Sequence, residues 1–460
     1  MKKAIYIALL GCAVMTATSC NKFLDRKPEG ALTEEEAIKN DADLQALLNG
    51  SYSDYSNKVQ NGKYTWIEDL LGDQANGSLY TGDDGEIFKR KTSIFGDYKN
   101  GMYTDLYRPA YVGNNVLANI EKATTSRNSI EGQAYFLRAL SHFDAVRMWA
   151  QPWGFTADNS HPGIVLRLQT AITPGERNTV KEVYESIIAD LKKADDLLGD
   201  QVTLGSPSKW AAKAYLARVY FLQNDFANAF TYADQVIKSN KFQYDASYAN
   251  RFSIGLSKEI IFGFKFIDNN LYPGSELRNR YRSDVGFSAQ GRFHITDIFY
   301  TAATTAGDVR GTAWYSKTLV PGYNVLTKYN KNNFDMPLIG FTEIKLIRAE
   351  AGAETGAANL ATAITDINEI LTRAYGGTSK NLATNAVVAT VISTTRRERE
   401  LELIGEGNRI QEIKRIGARS GTNVDRRGGR WNCPGLALQF PISEQAANAS
   451  FKMNTEGGCD

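Results

Sequence analysis

The sequence has little histidine and no arrangement of histidine or cysteine that is typical of a metal or catalytic site. Three histidines, His142, His161 and His294, are spread over 460 residues, without a His-Glu-x-x-His or a Cys-x-x-Cys pair. A Gly-x-Ser-x-Gly elbow and a Walker-type phosphate loop are also missing. The 51 acidic residues leave a pair of catalytic carboxylates open, because its geometry depends on the fold. We therefore expect a protein that is not an enzyme and that holds neither a metal nor a cofactor.

An excess of positive charge is absent as well. Lys and Arg number 53 against 51 Asp and Glu, which gives a net charge of +2. Proteins that bind nucleic acid concentrate basic side chains to neutralise phosphates. Nucleic acid is therefore not an expected partner.

Long hydrophobic runs are missing except near the first residue. Lys2 and Lys3 precede an apolar run over residues 4–15, which is shorter than the roughly 20 residues that a membrane-spanning helix requires. Small residues at 17–19 lead to Cys20, which matches the requirement of lipoprotein signal peptidase for a cysteine after the cut. We therefore expect residues 1–19 to be a lipoprotein signal peptide and Cys20 to be lipidated. Residues 20–30 would then tether the protein to a membrane through acyl chains.

Cysteine is scarce, with four residues in the whole chain. Once the signal peptide is removed and Cys20 is acylated, Cys433 and Cys459 remain in a compartment that permits disulfides. They either form a bridge, which would contribute roughly 3 to 4 kcal/mol on the chain-entropy model, or stay as two free thiols. The sequence leaves both alternatives open.

The sequence is rich in helical periodicity. Thr179 and Glu182 have the spacing of a capping box, and apolar residues at 183, 187, 191 and 198 follow one helix face. Residues 207–233 and 341–375 have small residues at the spacing of 34-residue tetratricopeptide hairpins. Because one hairpin cannot bury its own face, we expect a mainly all-α scaffold of three or four stacked hairpins within residues 31–460. A loop-rich lobe with short β segments is expected beside it.

Two segments, 62–115 and 250–335, are rich in Tyr, Trp, Gly, Asn and Asp, and we expect them to be ligand-facing loops inserted in the helical scaffold. A sugar ligand requires aromatic faces and fixed polar groups. The candidate ligand-binding residues are Tyr80, Asp83, Asp84, Tyr272, Arg278, Tyr281, Arg282 and Trp314. By residue type, each is also compatible with an ordinary structural or surface role.

A resemblance to a known family is carried mainly by the C-terminal part of the chain. Residues 396–403 read Arg-Arg-Glu-Arg-Glu-Leu-Glu-Leu, residues 406–409 read Glu-Gly-Asn-Arg, and residues 414–417 read Lys-Arg-Ile-Gly. This pattern resembles the C-terminal signature of SusD/RagB-like proteins, and similar matches at 136–139, 346–351 and 440–442 extend the resemblance over nearly the whole chain. Gly405, Asn408 and Ile410 depart from the residues that are common in the family.

The resemblance implies a surface-facing lipoprotein on the outer membrane of Bacteroidetes-type bacteria. Such proteins cap a TonB-dependent β-barrel transporter of the SusC type and capture oligosaccharides, or in some cases peptides, for uptake. A stand-alone surface adhesin or scaffold is the alternative that fits the same repeats and lipid anchor. Without the family, the arginine-rich segment indicates a charged helix in which Arg396 and Glu400, four residues apart, have the spacing of an ion pair.

Overall fold

The computed structural model describes residues 37–77, 80–171, 173–268, 273–284 and 293–459. Sixteen α-helices and five short strands lie in these ranges, so the mainly all-α fold is confirmed. The helices are α1 Asp41–Lys58, α2 Lys63–Leu71, α3 Gly82–Phe88, α4 Asp97–Ala118, α5 Arg127–Trp149, α6 Val180–Leu197, α7 Lys209–Leu222, α8 Phe226–Lys238, α9 Ser275–Tyr281, α10 Asp297–Ala303, α11 Val309–Trp314, α12 Phe341–Glu354, α13 Ala357–Tyr375, α14 Val388–Glu402, α15 Arg409–Ser420 and α16 Ile442–Ala447. The strands are β1 Ile260–Phe264, β2 His294–Ile295, β3 Tyr315–Ser316, β4 Asn324–Leu326 and β5 Met336–Gly340.

The scaffold is a stack of helices that pack side by side. Neighbours along the stack follow the order α1, α4, α5, α6, α7, α8, α12 and α13, and α14 packs against α12. Apolar side chains of α12 and α13 form a cluster of their own, separate from the large central core. Among the helices described, none combines the length and the apolar character that crossing a bilayer demands.

Local sequence signals begin and end the scaffold helices. The capping box is confirmed, because the Glu182 N–H donates to Thr179 Oγ1 at 3.2 Å and the Thr179 N–H donates to Glu182 Oε2 at 2.8 Å. Between α7 and α8, Asn224 adopts a left-handed φ of 58° and the Asp225 side chain caps α8. The three-residue turn that results makes α7 and α8 an antiparallel hairpin.

Small residues allow the helices of the second hairpin to approach closely. A Cβ atom at Gly352 on α12 would lie 3.1 Å from Cε2 of Phe230 and 3.3 Å from Cβ of Ala363. Phe230 belongs to α8 and Ala363 to α13, so three helices meet at this glycine. The small residues on which the hairpin prediction rested therefore occur where these helices approach closely.

The short strands belong to the lobe beside the scaffold. β1 pairs with β5 in antiparallel orientation, with Phe264 opposite Met336, and the second sheet has the order β2-β4-β3. Phe262 of β1 lies 5.0 Å, between ring centroids, from Phe136 of α5 in an edge-to-face contact. This contact joins the lobe to the helical core.

The expectation of a loop over residues 62–115 is corrected, because α2, α3 and most of α4 occupy this segment. The glycines that suggested loops stand at the N-termini of helices, where Gly62 and Gly96 both have φ of 105°. The aromatic residues Trp66 and Tyr103 are buried on helix faces rather than displayed in loops. Residues 250–335 are closer to expectation, with short helices and strands joined by irregular segments.

The arginine-rich segment forms a largely buried network, in which Arg396 pairs with Glu350 rather than with Glu400 as its spacing indicated. Arg396 Nε donates to Glu350 on α12 at 2.7 Å, because this face of α14 packs against α12. Farther along α14, the buried Glu402 accepts from Arg310 of α11 at 3.0 Å and from Arg373 of α13 at 2.7 Å. The network ties the lobe to the scaffold.

The structure pairs Cys433 with Cys459 in a disulfide, with the two Cα atoms 5.1 Å apart. The sequence separation is 26 residues, for which the chain-entropy model gives roughly 3.5 kcal/mol of stabilisation. The bridge fixes the last residues of the chain to the segment that follows α15.

Candidate ligand-binding face

Trp66 on α2 is the centre of an aromatic cluster that brings three predicted residues together. Its ring meets Tyr80 edge-on at 5.7 Å and Tyr281 at 5.5 Å between centroids. The indole N–H donates to Asp84 Oδ1 at 2.9 Å. Tyr80, Asp84 and Tyr281, which are far apart in sequence, therefore share one site.

Arg280 of α9 closes this cluster on its polar side. Its guanidinium lies 4.9 Å from the Trp66 ring centroid and 4.5 Å from that of Tyr98. It also pairs with Asp84 at 2.9 Å and with Glu276 at 2.6 Å. Arg280 thereby fixes the positions of α3, α4 and α9 relative to one another. Arg280 is not among the candidate residues that the sequence suggested.

Burial gives two of the predicted tyrosines a supporting role. Tyr281 is 0% exposed and Tyr80 is 8% exposed, so neither ring offers a face to a ligand at this surface. The Tyr281 hydroxyl donates to Asp69, and burial raises the pKa of the Asp69 carboxyl to about 8. Both tyrosines therefore pack and orient Trp66 and the segments around it.

Phe95 presents the exposed aromatic surface that these buried rings lack. Its side chain is 65% exposed and precedes the N-terminus of α4. Asp83 accepts the Tyr98 backbone N–H at 3.0 Å, and a Cβ atom at Gly96 would lie 2.9 Å from Asp83 Oδ2. Gly96 therefore permits the carboxylate to sit next to the chain segment that carries Phe95. We refer to Phe95, Asp83, Asp84, Tyr98 and Arg280 as the Phe95 face.

The remaining predicted residues lie elsewhere. Arg278 donates to the Asn332 carbonyl at 3.3 Å, and Arg282 donates to Oδ1 of the same residue at 2.8 Å, so both contact the segment before β5. Trp314 is 2% exposed, with the Lys328 ammonium 4.0 Å from its ring centroid, and is a core residue next to the buried charge network. Tyr272 and Cys20 lie outside the described residues.

An internal cavity is too small to be the ligand site. It measures about 50 Å³ and is lined by polar residues that include Glu68, Asp144 and Arg147. That volume holds a few waters at roughly 10–15 Å³ each, but not a sugar ring. Burial raises the pKa of Glu68 to about 7 despite the nearby Arg147 guanidinium. The cavity is thus a small polar space in the interior.

The described side chains contain no group of three or more His, Cys, Asp or Glu arranged to hold a metal ion. His142 is buried in α5, and burial lowers its pKa to about 3. Its Nε2 accepts the Arg167 N–H at 3.2 Å. His142 is therefore a neutral core residue, as its apolar helical surroundings predict.

Comparisons with known proteins agree along most of the chain. A family described as "Starch-binding associating with outer membrane" matches residues 22–221, and the SusD family matches residues 264–456. SusD-like protein P2 of Formosa agariphila is 33% identical over 53% of this chain, and SusD-like protein P38 of the same organism is 22% identical over 68%. These alignments span 47% and 62% of the two relatives, respectively.

Solved structures share the fold. A SusD superfamily protein from Bacteroides vulgatus superimposes with a TM-score of 0.79 at 22% identity, covering 91% of this chain and 99% of its own. A SusD-like carbohydrate-binding protein from the same organism gives a TM-score of 0.71 at 22% identity, covering 82% and 84%. At this level of identity the likeness concerns the fold alone.

Proposed function

Because this chain belongs to the SusD/RagB-like family, we propose that it is a surface lipoprotein of the outer membrane that captures an oligosaccharide. Cys20 carries the lipid anchor, and the protein hands its ligand to a TonB-dependent β-barrel transporter of the SusC type. The description of the matched family, starch binding in association with the outer membrane, supports the saccharide over a peptide. The alignments cover about half of the length of the curated relatives. The substrate and the transporter partner of this chain are therefore proposals.

The observation that carries the proposal is the exposed ring of Phe95 on a chain segment whose backbone Asp83 contacts. Pyranose rings offer C–H faces that stack on aromatic rings, and their hydroxyls require donors and acceptors in fixed positions. Phe95 supplies the ring at 65% exposure, and the backbone contact from Tyr98 holds Asp83 in place. The ion pairs of Arg280 keep this arrangement rigid, which lowers the entropic cost of binding.

The other predicted residues act around this face. Tyr80 and Tyr281 pack against Trp66 in the interior and so support the Phe95 face without contacting the ligand. Arg278 and Arg282, which are partly exposed near Asn332, lie apart from this face and offer hydrogen-bond donors to a longer saccharide. Tyr272 remains a proposed ligand-binding residue, on the basis of its position in the sequence between residues 250 and 335.

Replacing Phe95 by Ala is expected to weaken saccharide binding at least about tenfold, because the stacking surface is removed. Stability should change by less than about 0.5 kcal/mol, because the side chain is exposed. The measurement is isothermal titration calorimetry with neutral hexasaccharides, namely maltohexaose, cellohexaose and xylohexaose, on the wild-type protein and the variant.

Tyr111→Ala is the matched control, because Tyr111 is also an exposed aromatic residue of this region, 41% exposed on α4, and is not part of the Phe95 face. Its affinity should equal that of the wild type. Unchanged affinity in Phe95→Ala would contradict the assignment of the face. Binding of mixed hexapeptides in place of every saccharide would contradict the ligand class.

A further inference from the structure

A cleft of about 640 Å³ that shares no residue with the Phe95 face lies between α14, α15 and residues 424–426. Its apolar lining residues are Ala389, Ile392, Ile416 and Val424. Its charged lining residues are Arg396, Arg397, Arg409, Arg419, Arg426, Glu354 and Glu400. We call this set of residues the arginine cleft. Five arginines and two glutamates line the cleft, and the buried Glu350 and Asp73 pair with Arg396, Arg409 and Arg426 from behind the lining. Arg397 and Arg419 are the most exposed of the five arginines.

Close ion pairs hold four of the five arginines in place, with Arg419 paired to Glu354, while Arg397 is the exception. Arg397 and Arg419 have side chains that are 49% and 39% exposed. Within the described residues, the ion pair of Arg397 is a long one, 3.9 Å from Nη1 to Glu398 Oε1. Arg396 is fixed through Nε by the fully buried Glu350 and remains 27% exposed. Because a guanidinium carries five N–H donors, a carboxylate on one edge leaves donors on the other edge for a ligand.

The side chains that line the cleft suit a negatively charged ligand of the size of a small saccharide. Arginine forks match carboxylate and sulfate groups through paired hydrogen bonds. The volume falls within the roughly 300–1,000 Å³ of small-molecule sites. The apolar side chains between the arginines suit the C–H face of a sugar ring, which an inorganic anion would not use.

We propose that the arginine cleft binds an oligosaccharide that carries carboxylate or sulfate groups. The choice of a saccharide over an acidic polypeptide rests on the proposed function, whereas the requirement for negative charge rests on the cleft alone. The cleft is a second site, because its residues are distinct from those of the Phe95 face. Uronate and sulfate groups share the same recognition chemistry, and the experiment separates them.

The double variant Arg397→Gln/Arg419→Gln tests the proposal by calorimetry. The probes are hexagalacturonate, sulfated maltohexaose, neutral maltohexaose and hexaglutamate. The wild-type protein should bind at least one charged saccharide, more weakly as salt rises. The double variant should lose at least about tenfold in affinity for that probe, because two charge-assisted contacts are removed. Whichever charged saccharide binds more tightly identifies the preferred group.

The matched control is Lys181→Gln/Lys193→Gln, which removes the same two charges from exposed positions of α6. It should bind the charged probe as the wild type does, and so should Phe95→Ala. This last result separates the cleft from the Phe95 face, so each proposal fails independently. Equal affinity of the cleft variant and the wild type, no binding of either charged saccharide, or equally tight binding of hexaglutamate would overturn the proposal.

Discussion

Replacing Glu402 by Gln is expected to lower the free energy of unfolding by about 3 to 5 kcal/mol. Glu402 is 0% exposed and accepts hydrogen bonds from Arg310, Arg373 and Tyr248 at 2.7–3.0 Å. The substitution keeps the size of the side chain but removes the charge that two buried guanidinium groups face. Those groups would then lie in the interior without full compensation.

Urea unfolding followed by tryptophan fluorescence measures this effect, since Trp314 lies 4.8 Å, between centroids, from Tyr248 in the same region. Glu369→Gln is the matched control, because Glu369 is 44% exposed and pairs with Lys345 at 2.7 Å. Because Glu369 is exposed and Lys345 keeps its pair with the buried Asp366, the loss should be less than about 1 kcal/mol. A loss below about 1 kcal/mol in Glu402→Gln would show that the network does not hold the lobe on the scaffold.

Acid is expected to destabilise the protein as the pH falls from about 4.5 to about 2. Burial alone would raise the pKa of Glu402, but the Arg373 and Arg310 guanidinium groups lower it to about 2. Burial also opposes ionisation of Glu412, and Arg415 and Arg399 lower its pKa in the same way. In the unfolded chain, both carboxyls titrate near their ordinary value of 4.5.

The sign follows from proton binding. Below pH 4.5 the unfolded chain takes up protons that the folded protein does not, so the stabilisation present above that pH is lost. Glu402 alone contributes roughly 3 kcal/mol over this window. Chemical denaturation at pH 4.5 and pH 3 should show a loss of stability for the wild type that is smaller in Glu402→Gln. Identical pH dependence in both proteins would contradict the assignment.

Features that depend on neighbouring residues could be predicted from the sequence. The capping box of Thr179 and Glu182 needs only a three-residue spacing, and the small residues around Gly352 reveal a helical hairpin within one repeat. The signature at 396–409 identified the family, and its charges indicated a charged helix with Arg396 and Glu400 at the spacing of an ion pair. The burial of the charges on this helix depends on Arg310 and Arg373, which lie far away in sequence.

The candidate site shows the same limit. Tyr281 is suited by residue type to stack on a sugar, yet its hydroxyl reaches Asp69 in the core. The exposure of Phe95 could not be predicted from the sequence, because it depends on the conformation of Gly96 at the start of α4 and on the approach of Asp83. Arg278, Arg280 and Arg282 alternate in the sequence, and only the fold distinguishes Arg280, which reaches Trp66, from its neighbours. The composition of the sequence therefore indicated which segments contain the candidate site. Which of their residues are exposed to a ligand depends on long-range packing.

The central claim is that this protein captures saccharide at the cell surface for a transporter. Gentle extraction of the tagged, lipidated protein from its native outer membrane, followed by mass spectrometry of what co-purifies, tests it most directly. We expect a stoichiometric TonB-dependent β-barrel, together with retained oligosaccharide. Recovery of the protein alone would contradict the uptake role and favour the stand-alone adhesin.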